Sequence, residues 1–381
     1  MIKILLLIDY SSEFDRKLLR GLVQYSKENG PWLFYRLPSY YSAMHGEQGI
    51  LKWAKEWKAD AIIGQWNNDT IDLQKELNIP VVLQNYHHRS VIYSNLTGDY
   101  KGTGRMAAQF FAKRMFRNFA YFGVKGVVWS DERCEGYRQE VKRIGGEFFS
   151  FESDKQEDEI RMEVSQWLQQ LPKPVALFCC DDAHALFISE TCKMTNIPIP
   201  EEIALLGVDN DELMCNISDP PISSIELEVE RGGYSIGRLI HQQIKKEHEG
   251  TFNIVINPIR IELRQSTEKH NIKDPYILEV VKYIESHYGS DLTIESLLAN
   301  IPLSRRNFEV KFKNALNTSI YQYILNCRCN HLADLLLTTD RPLADLAMEV
   351  GFTDYNNIAR IFKKFKGCSP IEYRQKKTRQ R

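Results

Sequence analysis

Arginine and asparagine gather twice in the last hundred residues, as Arg305-Arg306-Asn307 and as Tyr355-Asn356-Asn357 with Arg360 close behind. A guanidinium fork matches the O6 and N7 edge of guanine, and a carboxamide matches the N6 and N7 edge of adenine. At helical spacing these types suit bidentate reading of base edges. Lys311, Lys363 and Lys364 stand near them in the sequence, and an ammonium neutralises phosphate whatever the base. The charge balance agrees with a polyanion-binding face. Residues 273–381 hold 17 basic and 12 acidic side chains, whereas residues 1–272 hold 32 and 38, so a net charge of −1 hides a basic tail behind an acidic body.

Other chemistry is weaker. Gly102-Thr103-Gly104-Arg105-Met106-Ala107 fits the loose pattern G-x-G-x-x-A, which holds a dinucleotide only directly after a strand and with an acidic residue closing the next one. Residues 95–101 are polar and read as a loop, and Asn118–Gly123 ends in no carboxylate, so the glycines read as a helix start packed against a crossover. The first strand-to-helix turn, Asp9-Tyr10-Ser11-Ser12-Glu13, has no glycine to cradle a phosphate. None of the eight cysteines forms Cys-x-x-Cys, Cys179-Cys180 and Cys327/Cys329 being the nearest pairs, and the nine histidines are scattered. Neither a disulfide framework nor a metal nor a cofactor is expected, and buried free thiols fit a reducing cytoplasm. No apolar run nears the ~18 residues of a membrane span. The run Ile4–Ile8 stops at Asp9 and reads as a strand instead of a signal segment.

The elements that must carry these residues fall into two regimes. Up to about residue 267, strand-like runs (Ile2–Ile8, Trp32–Leu37, Ala61–Gly64, Val81–Gln84, Phe119–Gly123, Val175–Cys179, Ala204–Val208) alternate with helical patterns (Phe14–Asn29, Gly46–Lys58, Thr103–Met115, Asp158–Gln170, His184–Thr195, Gly232–Lys246). That rhythm predicts parallel sheets covered on both faces, in two α/β lobes with a cleft between them. Asp9 ends the first strand, either at the ligand edge of the sheet or as a helix cap. Trp66 follows a strand, either as a flat face for the apolar side of a ring or as core.

From Tyr276 the pattern is helical throughout. Four registers, Ile277/Val280/Val281/Ile284, Ile294/Leu297/Leu298/Ile301, Leu343/Leu346/Ala347/Val350 and Ile358/Ile361/Phe362/Phe365, each give a one-faced helix. The segment repeats itself: Ile294, Leu297, Leu298, Ile301 and Ser304 recur 49 residues on, and Phe308, Phe312, Ser319 and Tyr323 recur 50 on. Each unit is helix, short turn, helix, which is a helix-turn-helix made twice. The boundaries predicted are an α/β body over 1–268, a linker over 269–275 and an all-α domain over 276–381.

Several stretches of the body resemble the effector domain of LacI-type repressors and periplasmic sugar-binding proteins. They are Gly98-Asp99-Tyr100, Arg114–Phe122, Glu132-Arg133-Cys134-Glu135-Gly136-Tyr137-Arg138, Asp181-Asp182-Ala183-His184-Ala185 and the long run Ile197–Asn210. The tail, from Leu346 to Arg374, resembles the AraC-type signature, and Ser304-Arg305-Arg306-Asn307-Phe308-Glu309 resembles its first-unit counterpart. Val310 stands where that family often has a basic residue. The combination, including Ile259–Thr267 at the end of the body, is similar to regulators of the xylose-operon type.

The resemblance implies a periplasmic-binding-protein-like α/β body with Arg133, Asp181, Asp182 and Asp209 at a sugar cleft, where Asp9 and Trp66 are further candidates by their positions after strands. Carboxylates accept from hydroxyls and a guanidinium donates to them, which suits a polyol. It also implies DNA contacts from Ser304, Arg305, Arg306, Asn307, Lys311, Tyr355, Asn356, Asn357, Arg360, Lys363 and Lys364. The partners implied are operator DNA, a pentose effector, RNA polymerase and a second copy of the chain, with no enzyme activity, no membrane and a cytoplasmic location. Two alternatives stay open: a two-lobed enzyme with a DNA-binding tail, and a body that only dimerises. For Arg133, a surface or lobe-stabilising charge is the other reading.

Overall fold

A computed structural model of the chain describes all residues except 9–10, 38, 67–71, 85–86, 249, 269–271, 273, 300, 317, 353–354 and 380–381; the side chains at 39–44, 74, 337–338, 355–356 and 376–379 also lie outside the description. It divides into two compact units, Met1–Lys269 and His270–Arg381.

The first unit holds two six-stranded sheets. One takes β1 (Ile2–Leu7), β2 (Trp32–Arg36), β3 (Ala61–Gly64), β4 (Val81–Leu83) and β5 (Ser94–Gly98); the other takes β6 (Asn118–Val124), β7 (Glu147–Ser153), β8 (Val175–Cys179), β9 (Ile203–Val208) and β10 (Ser223–Leu227). β11 (Asn253–Ile256) then returns to the edge of the first sheet beside β5, and β12 (Pro258–Glu262) crosses back to lie antiparallel to β10. Strands β3, β8 and β9 are buried at every position, as expected of sheets covered on both faces. The covering helices are α1 (Glu13–Asn29), α2 (Ser39–Trp57, broken at Gly46), α3 (Leu73–Leu77), α4 (Tyr100–Lys113), α5 (Val128–Arg143), α6 (Glu157–Gln170), α7 (Asp182–Met194), α8 (Glu212–Ile217) and α9 (Val229–Ile244).

Ser12, Asp99, Asp181 and Asp211 cap α1, α4, α7 and α8 by accepting from a backbone N–H of the first turn. The capped ends all follow strands, so they point the same way as the C-terminal edges of the sheets.

One expectation is corrected here. Residues 95–98, polar and expected in a loop with 99–101, belong to a buried parallel strand, Ser94–Gly98, between β4 and β11. Its polar side chains are buried because they are satisfied: Asn95 accepts from the Ser90 N–H at 2.8 Å and donates to the Ser90 carbonyl and to Asn253. The G-x-G-x-x-A run therefore does follow a strand, yet it holds no phosphate cradle. Asp99 occupies the helix end by accepting from the Gly102 N–H at 2.8 Å. A Cβ on Gly104 would lie 2.1 Å from the Arg133 carbonyl oxygen, so this glycine lets α4 meet α5 backbone to backbone. Strands β7 and β10 to β12 are absent from the sequence reading. β7 escapes it because its residues are only partly buried or exposed.

The second unit is α10 (Pro275–His287), α11 (Ile294–Leu298), α12 (Arg305–Leu316), α13 (Ile320–Thr338), α14 (Leu343–Glu349), α15 (Tyr355–Lys366) and α16 (Pro370–Arg379). The long α13 is shared. Helices α10 and α12 pack on it, as do α14, α15 and α16, with Leu325, Cys329, Leu332, Ala333 and Leu336 of α13 in one cluster with Leu346, Ala347, Val350, Ile358 and Phe362. Ser369 and Glu372 cap α16 reciprocally, and Gly351 and Gly367 adopt positive φ just past helix ends. No described helix is long and apolar enough to cross a membrane.

Candidate functional site

In each sheet of the first unit the strand order reverses once, at β1/β3 in one and at β6/β8 in the other. Loops leaving adjacent strands at such a point diverge and leave a crevice beyond the strand ends. A cavity of about 130 Å³ lies there, lined by Ser12, Phe14, Asp15, Gln84, Tyr100, Trp129, Arg133, Asp181 and Asp209. Ser12 follows β1, Gln84 follows β4, Tyr100 follows β5, Asp181 follows β8 and Asp209 follows β9, so both lobes contribute.

Arg133 is the centre of this arrangement. It is 3% exposed, donates to the carbonyl of Cys180 and stands 3.7 Å from Asp209 Oδ1. Its guanidinium lies over the rings of Tyr100 and Trp129, at 5.5 and 5.4 Å from their centroids. Among the described residues, three buried polar atoms at the cavity have no hydrogen-bond partner: Gln84 Oε1, Arg133 Nε and Asp209 Oδ1. Two acceptors and a donor left unsatisfied in one small cavity is the arrangement a polar ligand would complete.

Asp209 sits at φ 98° and Asn210 at φ 48°, a left-handed pair of the kind that costs energy outside glycine. The turn is held by Lys17 of α1, whose ammonium donates to the carbonyls of Asp209 (2.6 Å) and Asn210 (3.3 Å). Burial pushes the Asp209 carboxyl up to about 6 against the pull of Arg133. Asp181 accepts from both the backbone N–H and the ring of His184, at 2.8 and 2.7 Å. Burial raises its carboxyl, but the charge and hydrogen bonds of His184 outweigh that and leave it below the ordinary carboxylate value. A second bridge between the lobes is the two-pronged pair of Arg89 with Glu132 on α5, at 2.7 and 2.8 Å.

The structure brings Arg133, Asp181 and Asp209 together and places two other candidates elsewhere. Trp66 is 4% exposed and belongs to the core with Leu5, Ile62 and Leu73; the cleft's aromatic faces are Phe14, Tyr100 and Trp129. Asp182 turns inward, accepting from Ser224 Oγ at 2.6 Å and from the Asp211 N–H at 2.8 Å, so both its oxygens tie the sheet edge together and neither faces the cavity. Burial, with Asp209 adding to it, raises the Asp182 carboxyl well above its ordinary value. Asp9 lies outside the described residues. Gln84 and Trp129 were not foreseen. Trp129 carries one usable signal, standing one helical turn before Arg133 at i and i+4.

In the second unit, α12 buries Phe308, Phe312 and Leu316 and turns Arg305, Arg306, Asn307 and Val310 outward. Val310 is 50% exposed and so lies on the outer face, not in the core. Ser304 is spent locally, accepting from the Asn307 N–H at 3.4 Å at the start of α12. Lys311 is drawn into an ion pair with Asp274, the cap of α10, at 2.7 Å, which places it against α10. On α15, Arg360, Lys363 and Lys364 are exposed, Arg360 donating to Asn357 and Lys364 to Gln322. The side chains of Tyr355 and Asn356 lie outside the described residues.

Residues 108–267 match the family of periplasmic binding protein-like domains, and residues 297–376 match a helix-turn-helix domain family. The chain is 24% identical to the xylose operon regulatory protein of Escherichia coli K12, over 98% of this chain and 96% of that one. Its similarity to the xylose operon regulatory proteins runs along nearly the whole of the chain, at 24% identity to those of Escherichia coli and of Haemophilus influenzae. A solved structure of the xylose-binding transcription activator XylR has the same fold, with a TM-score of 0.60 at 22% identity over 98% of this chain and 97% of that one. A periplasmic binding protein/LacI transcriptional regulator from Alkaliphilus metalliredigens QYMF, complexed with D-xylulofuranose, matches 70% of this chain and 98% of its own with a TM-score of 0.54 at 16% identity.

Proposed function

We propose that the chain is a sugar-responsive transcription regulator of pentose genes, in which a monosaccharide in the Arg133 cleft alters how the second unit engages operator DNA. The observation that carries this is the gathering on one small cavity of Gln84 Oε1, Arg133 Nε and Asp209 Oδ1, none with a hydrogen-bond partner among the described residues. A sugar hydroxyl donates and accepts at once, so it serves both carbonyl-type acceptors and the guanidinium donor. The size agrees with a single ring: a cavity of about 150 Å³ takes one six-membered ring. Relatives named for xylose make a pentose the first choice of ligand, and an activator with RNA polymerase as its partner the favoured sense of control.

Cleft closure acts by population shift: the ligand bridges groups of both lobes and so favours the conformation that brings them together. The working form is a cytoplasmic homodimer. In this reading the cleft is a binding site, its carboxylates and guanidinium serving the hydroxyls of the ligand. The thiol of Cys180, next in sequence to the cavity residue Asp181, has its pKa pushed up by burial, the reverse of what a nucleophile needs.

A thermal-shift screen against pentoses and hexoses tests the reading. A cleft ligand at 100 times its dissociation constant stabilises by about 2.7 kcal/mol. Stabilisation by a pentose, together with a change in operator affinity in a gel-shift assay, is the expected result. No stabilisation by any sugar would leave a body that only dimerises, and consumption of the sugar would make it an enzyme.

A further inference from the structure

Where β8 passes into α7, three side chains of different chemistry meet. Cys180 Sγ, a carboxylate oxygen of Asp181 and a ring nitrogen of His184 all lie within 4.8 Å of one another, and among the described residues this is the group of His, Cys and acidic side chains close enough to hold a metal ion. Local structure dictates the meeting. Cys180 directly follows β8 with its side chain buried, Asp181 is the helix cap, and the His184 ring sits over the first turn with Nδ1 2.7 Å from Asp181 Oδ1.

We propose that Cys180, Asp181 and His184 form a site for one zinc-class divalent cation, with the fourth coordination position on the side of the effector cleft that Asp181 lines. The donor set selects the ion. Thiolate, imidazole and carboxylate together suit zinc and its borderline-soft neighbours, whereas calcium and magnesium want oxygen alone. Three protein ligands with one open position is also the usual form of a zinc site that keeps an exchangeable ligand.

Distances are within reach of coordination. Bonds of about 2.0–2.3 Å to a tetrahedral zinc put its ligands roughly 3.3–3.7 Å apart. Asp181 and His184 must therefore separate slightly as the cation takes the place of the proton between them, and Cys180 must close in from within the 4.8 Å limit. The thiol proton leaves as well, so protons depart as the cation enters. Thiolate and carboxylate then balance the charge of a divalent ion. Arg133, which donates to the Cys180 carbonyl, adds a positive charge nearby.

The test uses the full-length, reduced, metal-stripped protein and cobalt(II) as the probe. The expected result is one cobalt per chain with a thiolate-to-metal charge-transfer band, displaced by zinc, lost in Cys180→Ser and at least tenfold weaker in His184→Ala. Because a buried cysteine replacement can fail to fold, circular dichroism accompanies both variants and His184→Ala, at a partly exposed position, decides if Cys180→Ser is unfolded. Absence of the band, or a band and stoichiometry unchanged in folded variants, overturns the proposal. The site does not depend on the sugar reading: apo-protein sugar binding is measured on its own, so either can fail without the other.

Discussion

The carboxyl of Asp209 is the residue with most to reveal, because burial lifts it to about 6 while Arg133 pulls it down. A raised carboxyl favours the folded state when protonated, so its stabilising contribution is full below about pH 4 and is lost as pH rises through 6. Sugar binding runs the opposite way. The ionised carboxylate is the better acceptor, so affinity should rise with pH through about 6 and then level off, as titration calorimetry across pH 5–8 would register; a flat profile would exclude Asp209 from the contact. Asp209→Ala should weaken binding by about 1–3 kcal/mol for each hydrogen bond lost while leaving basal DNA binding intact. Saturating zinc should weaken the sugar too, because Asp181 would be shared. That Arg133, Asp181 and Asp209 would meet was legible in the sequence through the resemblance of the segments that carry them. Trp66 misled because a tryptophan after a strand looks the same whether it turns to the cleft or to the core. Gln84 reaches the Arg133 cavity only through the sheet order, which no local pattern encodes, whereas the i, i+4 spacing of Trp129 and Arg133 on α5 was there to be read.

Between elements, the tightest constraint is the crossing of α4 and α5. A methyl on Gly104 would press on the Arg133 carbonyl and on the Tyr137 amide, 2.1 and 2.6 Å away, so Gly104→Ala should destabilise the first unit by about 1–3 kcal/mol or more and loosen the helix that carries Arg133. Calorimetric unfolding together with sugar titration would measure both effects. In the second unit the two outward faces should differ. Arg360→Ala should cost about 1–3 kcal/mol and relax preference at one base pair, whereas Lys364→Ala should weaken all sequences alike and flatten the salt slope by about one unit. Val310 is half exposed, so Val310→Arg should fold normally, raise affinity and steepen that slope; unchanged binding across a salt series would mean that α12 does not face the duplex there. The helical half was the more legible one, since its apolar registers repeat at 3.6 residues and its caps punctuate them. Strand β5 was not: its buried Asn95 and Thr97 carry the composition of a loop, and only their partners reveal a strand.

At the level of the whole chain, residues 270–381 bury their own apolar faces on α13 and should fold and bind operator DNA when expressed alone. Footprinting of that fragment should protect two successive major grooves, roughly 34 Å apart, and protection of one groove would contradict a paired reading. The first unit behaves differently, for a reason already visible in its strand order. Its first sheet is assembled from residues 2–98 together with β11, which arrives at Asn253–Ile256, and its first helix packs on α9, which starts at Val229. A ribosome adding about 5–20 residues per second therefore exposes the edge of β5 and one face of α1 for roughly 10–30 s before their partners are synthesised. The second sheet waits less, since β6 to β10 are contiguous and only its edge strand β12 arrives later. During synthesis the later lobe should thus become protease-resistant before the earlier one, and chains stalled short of residue 253 should be the ones that chaperones hold.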